Sequence, residues 1–230
     1  MSLSLPPLSF AGSPLAAAIV DLDGTLVDTL GDFEVALGGM LQELGAAPLP
    51  RAVIAHMVGK GSEHLVASAL RHCGLAHDPA DALHRYLAHY DRINGRHAEP
   101  FPGAAEGLQA LQAAGLRLAC LTNKPTGLAQ QLLRDKGLDG FFLHVFGGDA
   151  FARKKPDPLP VLQTCAALGT APAATLMVGD SRNDAEAARA AGCPVALVTY
   201  GYNHGEPVRA VDADLFVDRI DALPVLLQQA

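Results

Sequence analysis

Four short clusters in this 230-residue chain carry side chains able to handle a phosphoryl group. The first, Asp21-Leu22-Asp23-Gly24-Thr25, sets two carboxylates two residues apart. In an extended segment that spacing sends both side chains one way. Carboxylates held this close raise each other's pKa unless a cation intervenes. Gly24 permits a tight bend that would separate them. Alone, D-x-D-G suits a surface turn or a calcium loop equally well. The second cluster, Leu121-Thr122-Asn123-Lys124-Pro125, puts a hydroxyl and backbone amides ahead of a predicted helix. Such a helix start is a ready phosphate site, although capping by Thr122 or Asn123 would also explain it. The third, Lys154-Lys155-Pro156-Asp157-Pro158, presents lysines on a backbone stiffened by two prolines. The fourth, Val178-Gly179-Asp180-Ser181-Arg182-Asn183-Asp184, sets Asp180 at a strand tip and Asp184 one helical turn later. Capping by Ser181 with early acidic residues accounts for Asp184. It leaves Asp180 without a reason.

As a set the four agree. In order they offer carboxylates, a hydroxyl with amides, a lysine, and two more carboxylates, which is the inventory of magnesium-assisted phosphoryl transfer. A carboxylate approaching a phosphate dianion is opposed by on the order of 4 kcal/mol per charge pair at about 4 Å. A divalent ion and one lysine reverse that sign.

The elements that must position these clusters are short apolar runs alternating with helices. LAAAIV (15–20), LRLACLT (116–122), FFLHVFG (141–147), ATLMVG (174–179), PVALV (194–198) and DLFV (214–217) read as buried parallel strands. GAAEGLQALQAAG, GLAQQLLRDKG, PLPVLQTCAALG and DAEAARAAG read as helices, each ending at a glycine. That alternation predicts an α/β fold with a doubly wound parallel sheet. Between the first two strands, residues 30–98 read as an inserted helical unit: DFEVALGGMLQELG, PRAVIAHMV, SEHLVASALRHCG and PADALHRYLAHYDRING. The expected division is a core of residues 1–29 and 99–230 and a helical unit of residues 30–98. Residues 1–14 read as a loose tail.

A net charge of −7 argues against a general nucleic-acid binder. Cys73, Cys120, Cys165 and Cys193 are widely spaced without a C-x-x-C pair and read as reduced core thiols. No signal peptide or membrane span is legible, so a soluble, cytoplasmic protein is expected, as a monomer or homodimer without membrane partners.

The motifs DLDGT (21–25), Thr122 in LTN, Lys155 in KKP and GDSRND (179–184) resemble the haloacid dehalogenase superfamily over essentially the whole chain after the tail. Within it, DLDGTLVDT, MVGKGSEHLV, FPGAAEGL, LTNKP, KPDPLP, GDSRNDAEAARAAGC and VTYGYNHGEP are similar to the phosphoglycolate phosphatase branch. Dehalogenases proper are disfavoured by the presence of Asp23. The resemblance implies a Rossmann-like core with a helical C1 cap and an Mg2+ cofactor. It implies hydrolysis of a small phosphorylated metabolite, 2-phosphoglycolate first, through an aspartyl-phosphate. Other phosphate esters (sugar phosphate, nucleotide or pyrophosphate), phosphosugar mutase chemistry, and a silent phosphate-binding module stand as alternatives. By the same resemblance Asp21 is the nucleophile and Asp23 the general acid and base. Thr122, the Asn123 amide and Lys155 hold the phosphoryl group beside Gly24, with Lys154 a minor alternative to Lys155. Asp21, the Asp23 carbonyl, Asp180 and Asp184 hold the metal, Asp184 directly or through water. For the substrate's second anionic group the loop Gly59-Lys60-Gly61 is the candidate; Arg51, Arg71, Arg92, His56 and His204 read as solvated surface groups.

Overall fold

Leu8, Leu15 and all four residues of the first sheet strand are buried, so the core begins almost as soon as the computed structural model does; it describes residues 8–228. β1 (Ser9–Phe10) and β2 (Ser13–Pro14) form a small antiparallel hairpin. The chain continues through β3 (Ala17–Val20) and β4 (Val27–Asp28), then four helices: α1 (Leu30–Glu43), α2 (Arg51–Ala55), α3 (Ser62–Cys73) and α4 (Pro79–Ile93). β5 (Glu99–Pro100) leads back to α5 (Ala104–Ala113), β6 (Arg117–Leu121), α6 (Thr126–Asp135) and β7 (His144–Phe146). The remainder is α7 (Leu159–Leu168), β8 (Thr175–Gly179), α8 (Arg182–Ala191), β9 (Val195–Val198), β10 (Leu215–Val217) and α9 (Leu223–Leu227).

Six strands form one parallel sheet in the order β10-β9-β8-β3-β6-β7. The near-continuous apolar runs follow from burial on both faces. In β3, Ala18 and Val20 join the core under α5, α6 and α9, while Ala17 and Ile19 join the core under α7 and α8. The chain runs outward from β3 through β6 and β7, then returns to the other side of β3 for β8. Sheets that reverse this way open a crevice at their carboxyl ends. Asp21, Thr122 and Asp180 directly follow β3, β6 and β8.

Helices α1 to α4 bury an apolar cluster of their own, including Phe33, Leu37, Leu41, Leu65, Leu70, Tyr86 and Tyr90. The two strands leading into and out of it, β4 and β5, pair antiparallel as a narrow ribbon. Asp78 caps α4, accepting from the Ala80 amide at 3.2 Å, with Pro79 at the first helical position.

The structure corrects three sequence expectations. The tail expected over 1–14 lies outside the described residues up to residue 7, but from Leu8 it is ordered into the hairpin. Ala11 and Gly12 at its tip have φ of 48° and 76°, the backbone of a two-residue hairpin turn. The run FFLHVFG yields only a three-residue strand, because pairing with β6 begins at His144 and a 3₁₀ turn occupies residues 139–141. The helix expected through Val58 stops at Ala55, since the chain must reach Gly59 and Gly61 at φ of 106° and 89°, outside helical space. All four cysteines are free. No helix among the described residues is long and apolar enough to cross a membrane.

One buried contact ties the start of the helical unit to its exit. Asp32, fully buried in the first turn of α1, accepts from the Gly95 amide at 2.6 Å and the His97 amide at 2.8 Å. Asp32→Ala removes the shared acceptor of two partly exposed N–H groups, so it should lower unfolding free energy by about 1–3 kcal/mol. Urea denaturation measures this; a loss within experimental error of zero would show that water replaces the carboxylate freely.

Candidate active site

The site is assembled around one buried lysine. Lys155 Nζ lies 2.7 Å from the Leu121 carbonyl, 2.7 Å from Asp184 Oδ1 and 2.9 Å from Asp21 Oδ1. Burial alone would lower the proton affinity of this ammonium; Asp184 and Asp21 outweigh that and push it above the usual range. Its backbone is locked from the neighbouring strand end. The Asn123 side chain accepts from the Lys155 amide at 3.1 Å and donates to the Lys155 carbonyl at 2.9 Å. The adjacent Lys154 turns away and pairs with Glu63 of α3 at 2.7 Å, so of the two lysines only Lys155 reaches Asp21.

Asp184 is held on both oxygens. Oδ1 faces Lys155, and Oδ2 accepts from the Ser181 amide at 3.2 Å, the Ser181 hydroxyl at 2.9 Å and the Asp180 amide at 3.3 Å. The helix-capping role and the site role thus fall on one residue. Asp180 Oδ2 accepts from the Tyr202 amide at 2.5 Å. Gly24, at φ 86°, lies so close that a Cβ there would stand 2.2 Å from Asp180 Oδ2 and 2.9 Å from the Tyr202 ring. Only glycine lets β3 and β8 bring their carboxylates this near.

Asp21, Asp180 and Asp184 each offer an oxygen within 4.8 Å of the others, and all three are buried. Three carboxylates facing one ammonium leave two negative charges in a nearly dry pocket. Asp21 Oδ1 is a buried acceptor that receives no properly directed hydrogen bond, even from Lys155. A hard divalent cation with oxygen ligands fits this donor set and balances its charge. Burial pushes the Asp21 carboxyl up to about 7; Lys155 opposes this and Asp184 adds to it. Asp180 is also raised well above the ordinary carboxylate range, by burial first and then by Asp184 and Asp21.

Asp23 stands apart from that carboxylate cluster. Its Oδ1 pairs with Lys124 Nζ at 3.2 Å, so the two acids of the first motif face different ammonium groups. Thr122 Oγ1 accepts from the Lys124 amide at 3.2 Å. The cap of α6 is supplied by Asp149, which accepts from the Thr126 amide at 2.8 Å, and not by Thr122 or Asn123. With its side chain committed to Lys155 and Gly59, Asn123 can offer a ligand its backbone N–H.

Asp21, Asp23, Thr122 and Asn123 line a cavity of about 30 Å³ roofed by Phe33, Val58, Leu65, Tyr86 and Tyr90. The expected Lys60 is not brought there: Gly59 and Gly61 line the cavity, but the Lys60 side chain is exposed outside it. The loop is docked by its backbone, the Gly59 carbonyl accepting from Asn123 at 2.9 Å and Asn183 at 3.1 Å. Arg51, Arg71, Arg92 and His56 are exposed and away from the cavity. His204, expected to be solvated, is half-buried at φ 51°, with Nε2 3.1 Å from Asn183 Nδ2, and burial lowers its pKa. Residue-type reasoning missed Lys124 and Tyr202. Lys124 was visible two residues after Thr122, whereas Tyr202, from a loop with no chemical signature, joins Asp180 to the β4 ribbon by also bonding Asp28 and the Thr29 amide.

Residues 15–192 match the haloacid dehalogenase-like hydrolase family model, and the chain belongs to that family. It is 41% identical to a phosphoglycolate phosphatase of Thiobacillus denitrificans over 94% of this chain and 97% of that one. It is 44% identical to a plasmid-borne phosphoglycolate phosphatase of Cupriavidus necator, over 94% and 95% of the two chains. A crystal structure described as a predicted phosphoglycolate phosphatase from Haemophilus somnus superposes with a TM-score of 0.86 at 30% identity, covering 92% of this chain and 97% of that one.

The raised carboxyls make a signed prediction. Without a cation, Asp21 favours the folded state while protonated; that contribution is complete below the ordinary carboxylate pKa of 3.8 and is lost as pH rises through about 7, and Asp180 shifts in the same direction. A divalent cation binds the ionised forms, so its stabilising effect should grow with pH. Thermal melts with and without saturating cation should give a larger Tm increase at pH 8 than at pH 5. Equal increases at both would mean that the cation does not bind at these carboxylates.

Proposed function

We propose that this chain is a magnesium-dependent phosphatase that hydrolyses 2-phosphoglycolate to glycolate and phosphate. The observation carrying this reading is the contact of Lys155 with both Asp21 and Asp184 beside Asp180, at adjoining strand ends. Two relatives above 40% identity that bear the name phosphoglycolate phosphatase support the substrate.

The Asp21 carboxylate attacks phosphorus, forming an aspartyl-phosphate as the ester P–O bond breaks. Asp23 gives its proton to the departing glycolate oxygen, then takes one from the water that attacks phosphorus and frees Asp21. Thr122 Oγ1, the Asn123 amide and Lys155 neutralise and orient the phosphoryl oxygens. Asp21, the Asp23 carbonyl, Asp180 and Asp184, the last directly or through water, would hold magnesium, which would supply Lewis-acid charge neutralisation. Residues 30–98 act as a cap over residues 1–29 and 99–230, hinged at the β4–β5 ribbon and excluding bulk water when docked through Gly59. With four free thiols, a reduced cytoplasmic setting fits, and the working unit is a monomer or homodimer.

A phosphate-release screen over phosphorylated metabolites with magnesium should rank 2-phosphoglycolate first by kcat/KM, with steady phosphate release excluding a mutase. Another metabolite ranked well above it would overturn the substrate. Asp21→Asn should lower kcat at least about 1000-fold while the fold is retained; near-normal turnover would remove Asp21 from the nucleophile role.

A further inference from the structure

Lys124 has no part in the chemistry above, yet it is the cationic side chain lining the cavity among the described residues. Its residue is only 5% exposed. Nζ lies 2.5 Å from the Tyr90 hydroxyl and 3.2 Å from Asp23 Oδ1. The same atom sits 4.4 Å from the Tyr90 ring centroid and 5.1 Å from that of Phe33. An ammonium carries three N–H donors; two are taken by Tyr90 and Asp23, and among the described residues the third has no acceptor. A lysine held this firmly inside an aromatic roof is poorly explained as surface charge. It is also poorly explained as a partner of Asp23 alone, since an ion pair needs neither the two rings nor the hydroxyl.

We propose that Lys124, fixed by Tyr90 and Phe33, is the specificity-determining residue that receives the substrate's carboxylate. This rests on the phosphoglycolate reading above and names the residue that the cap loop fails to supply. Connectivity supports the assignment. Asp23 must reach the ester oxygen to protonate it, and in 2-phosphoglycolate a single CH2 separates that oxygen from the carboxylate carbon. The group that binds the carboxylate must therefore stand beside Asp23, and Lys124 Nζ does. One ammonium in a small, largely apolar enclosure suits one compact singly charged group, and leaves a second phosphate undercompensated. The apolar rings of Phe33 and Tyr90 lower the local dielectric, which strengthens this one charged contact.

The test compares kcat/KM for 2-phosphoglycolate and for ethyl phosphate, its two-carbon analogue without the carboxylate, in the wild type, Lys124→Met and Tyr90→Phe. Each ratio is taken within one preparation, so partial misfolding and any shared effect through Asp23 cancel. The wild type should strongly prefer phosphoglycolate. In Lys124→Met that preference should fall on the order of 100-fold, mainly through KM. In Tyr90→Phe, which keeps the ring and the charge, it should fall about fivefold. A preference intact in Lys124→Met would overturn this assignment while leaving the substrate standing. A wild type that does not prefer phosphoglycolate would overturn the substrate and this assignment with it. Should Lys124→Met fail to fold, an intact preference in Tyr90→Phe overturns the assignment equally.

Discussion

The site depends on a charge balance struck inside a dry strand-end crevice. Lys155 can be buried and charged because Asp21 and Asp184 lie within 2.9 Å of it; those acids, with Asp180, tolerate one another only while compensated. One ammonium against three carboxylates is short by two positive charges, a deficit that one divalent cation would make up. Removing Lys155 would leave the buried carboxylates uncompensated, which is costly by several kcal/mol in general. Much of the surrounding structure serves to hold that balance: Gly24 for approach, Asn123 for the Lys155 backbone, Ser181 for Asp184, and Tyr202 for Asp180.

A parallel sheet provides this economically. Adjacent strands β6, β3 and β8 end side by side, so residues more than a hundred positions apart in sequence, such as Asp23 and Lys124, arrive within hydrogen-bond reach. The helical unit meets this edge from the other side and contributes aromatic walls in place of catalytic groups. It is attached by a two-stranded ribbon and meets the rest of the chain through the Gly59 carbonyl, the Lys154–Glu63 pair, the Lys124–Tyr90 contact and the Asn94 side-chain amide donating to the Leu128 carbonyl.

The strands, the core helices and the inserted helices were legible because apolar periodicity is dictated by burial, and burial of both sheet faces leaves little choice of residue. The four motifs were legible only as an ordered set, since each alone also fits a turn, a helix cap or a surface charge. Three things were not. The hairpin at Ser9–Pro14 is too short for periodicity to register and rests on positive φ at Ala11 and Gly12. The distinction between Lys60 and Lys124 was invisible, since a flexible glycine-flanked lysine reads as a ligand group until the backbone is seen to face inward and the side chain outward. Tyr202 acts through a backbone amide and a hydroxyl at a distant loop, and no local pattern announces that.

The central claim is that the phosphoryl group passes through Asp21. Quenching the enzyme during turnover of 2-phosphoglycolate, reducing with borohydride and sequencing peptides by mass spectrometry tests it directly. An acyl-phosphate at Asp21 would be reduced to homoserine at that position and nowhere else. Homoserine at a different acidic residue would contradict the account, as would unmodified Asp21 under conditions that trap the acyl-phosphate of a control enzyme.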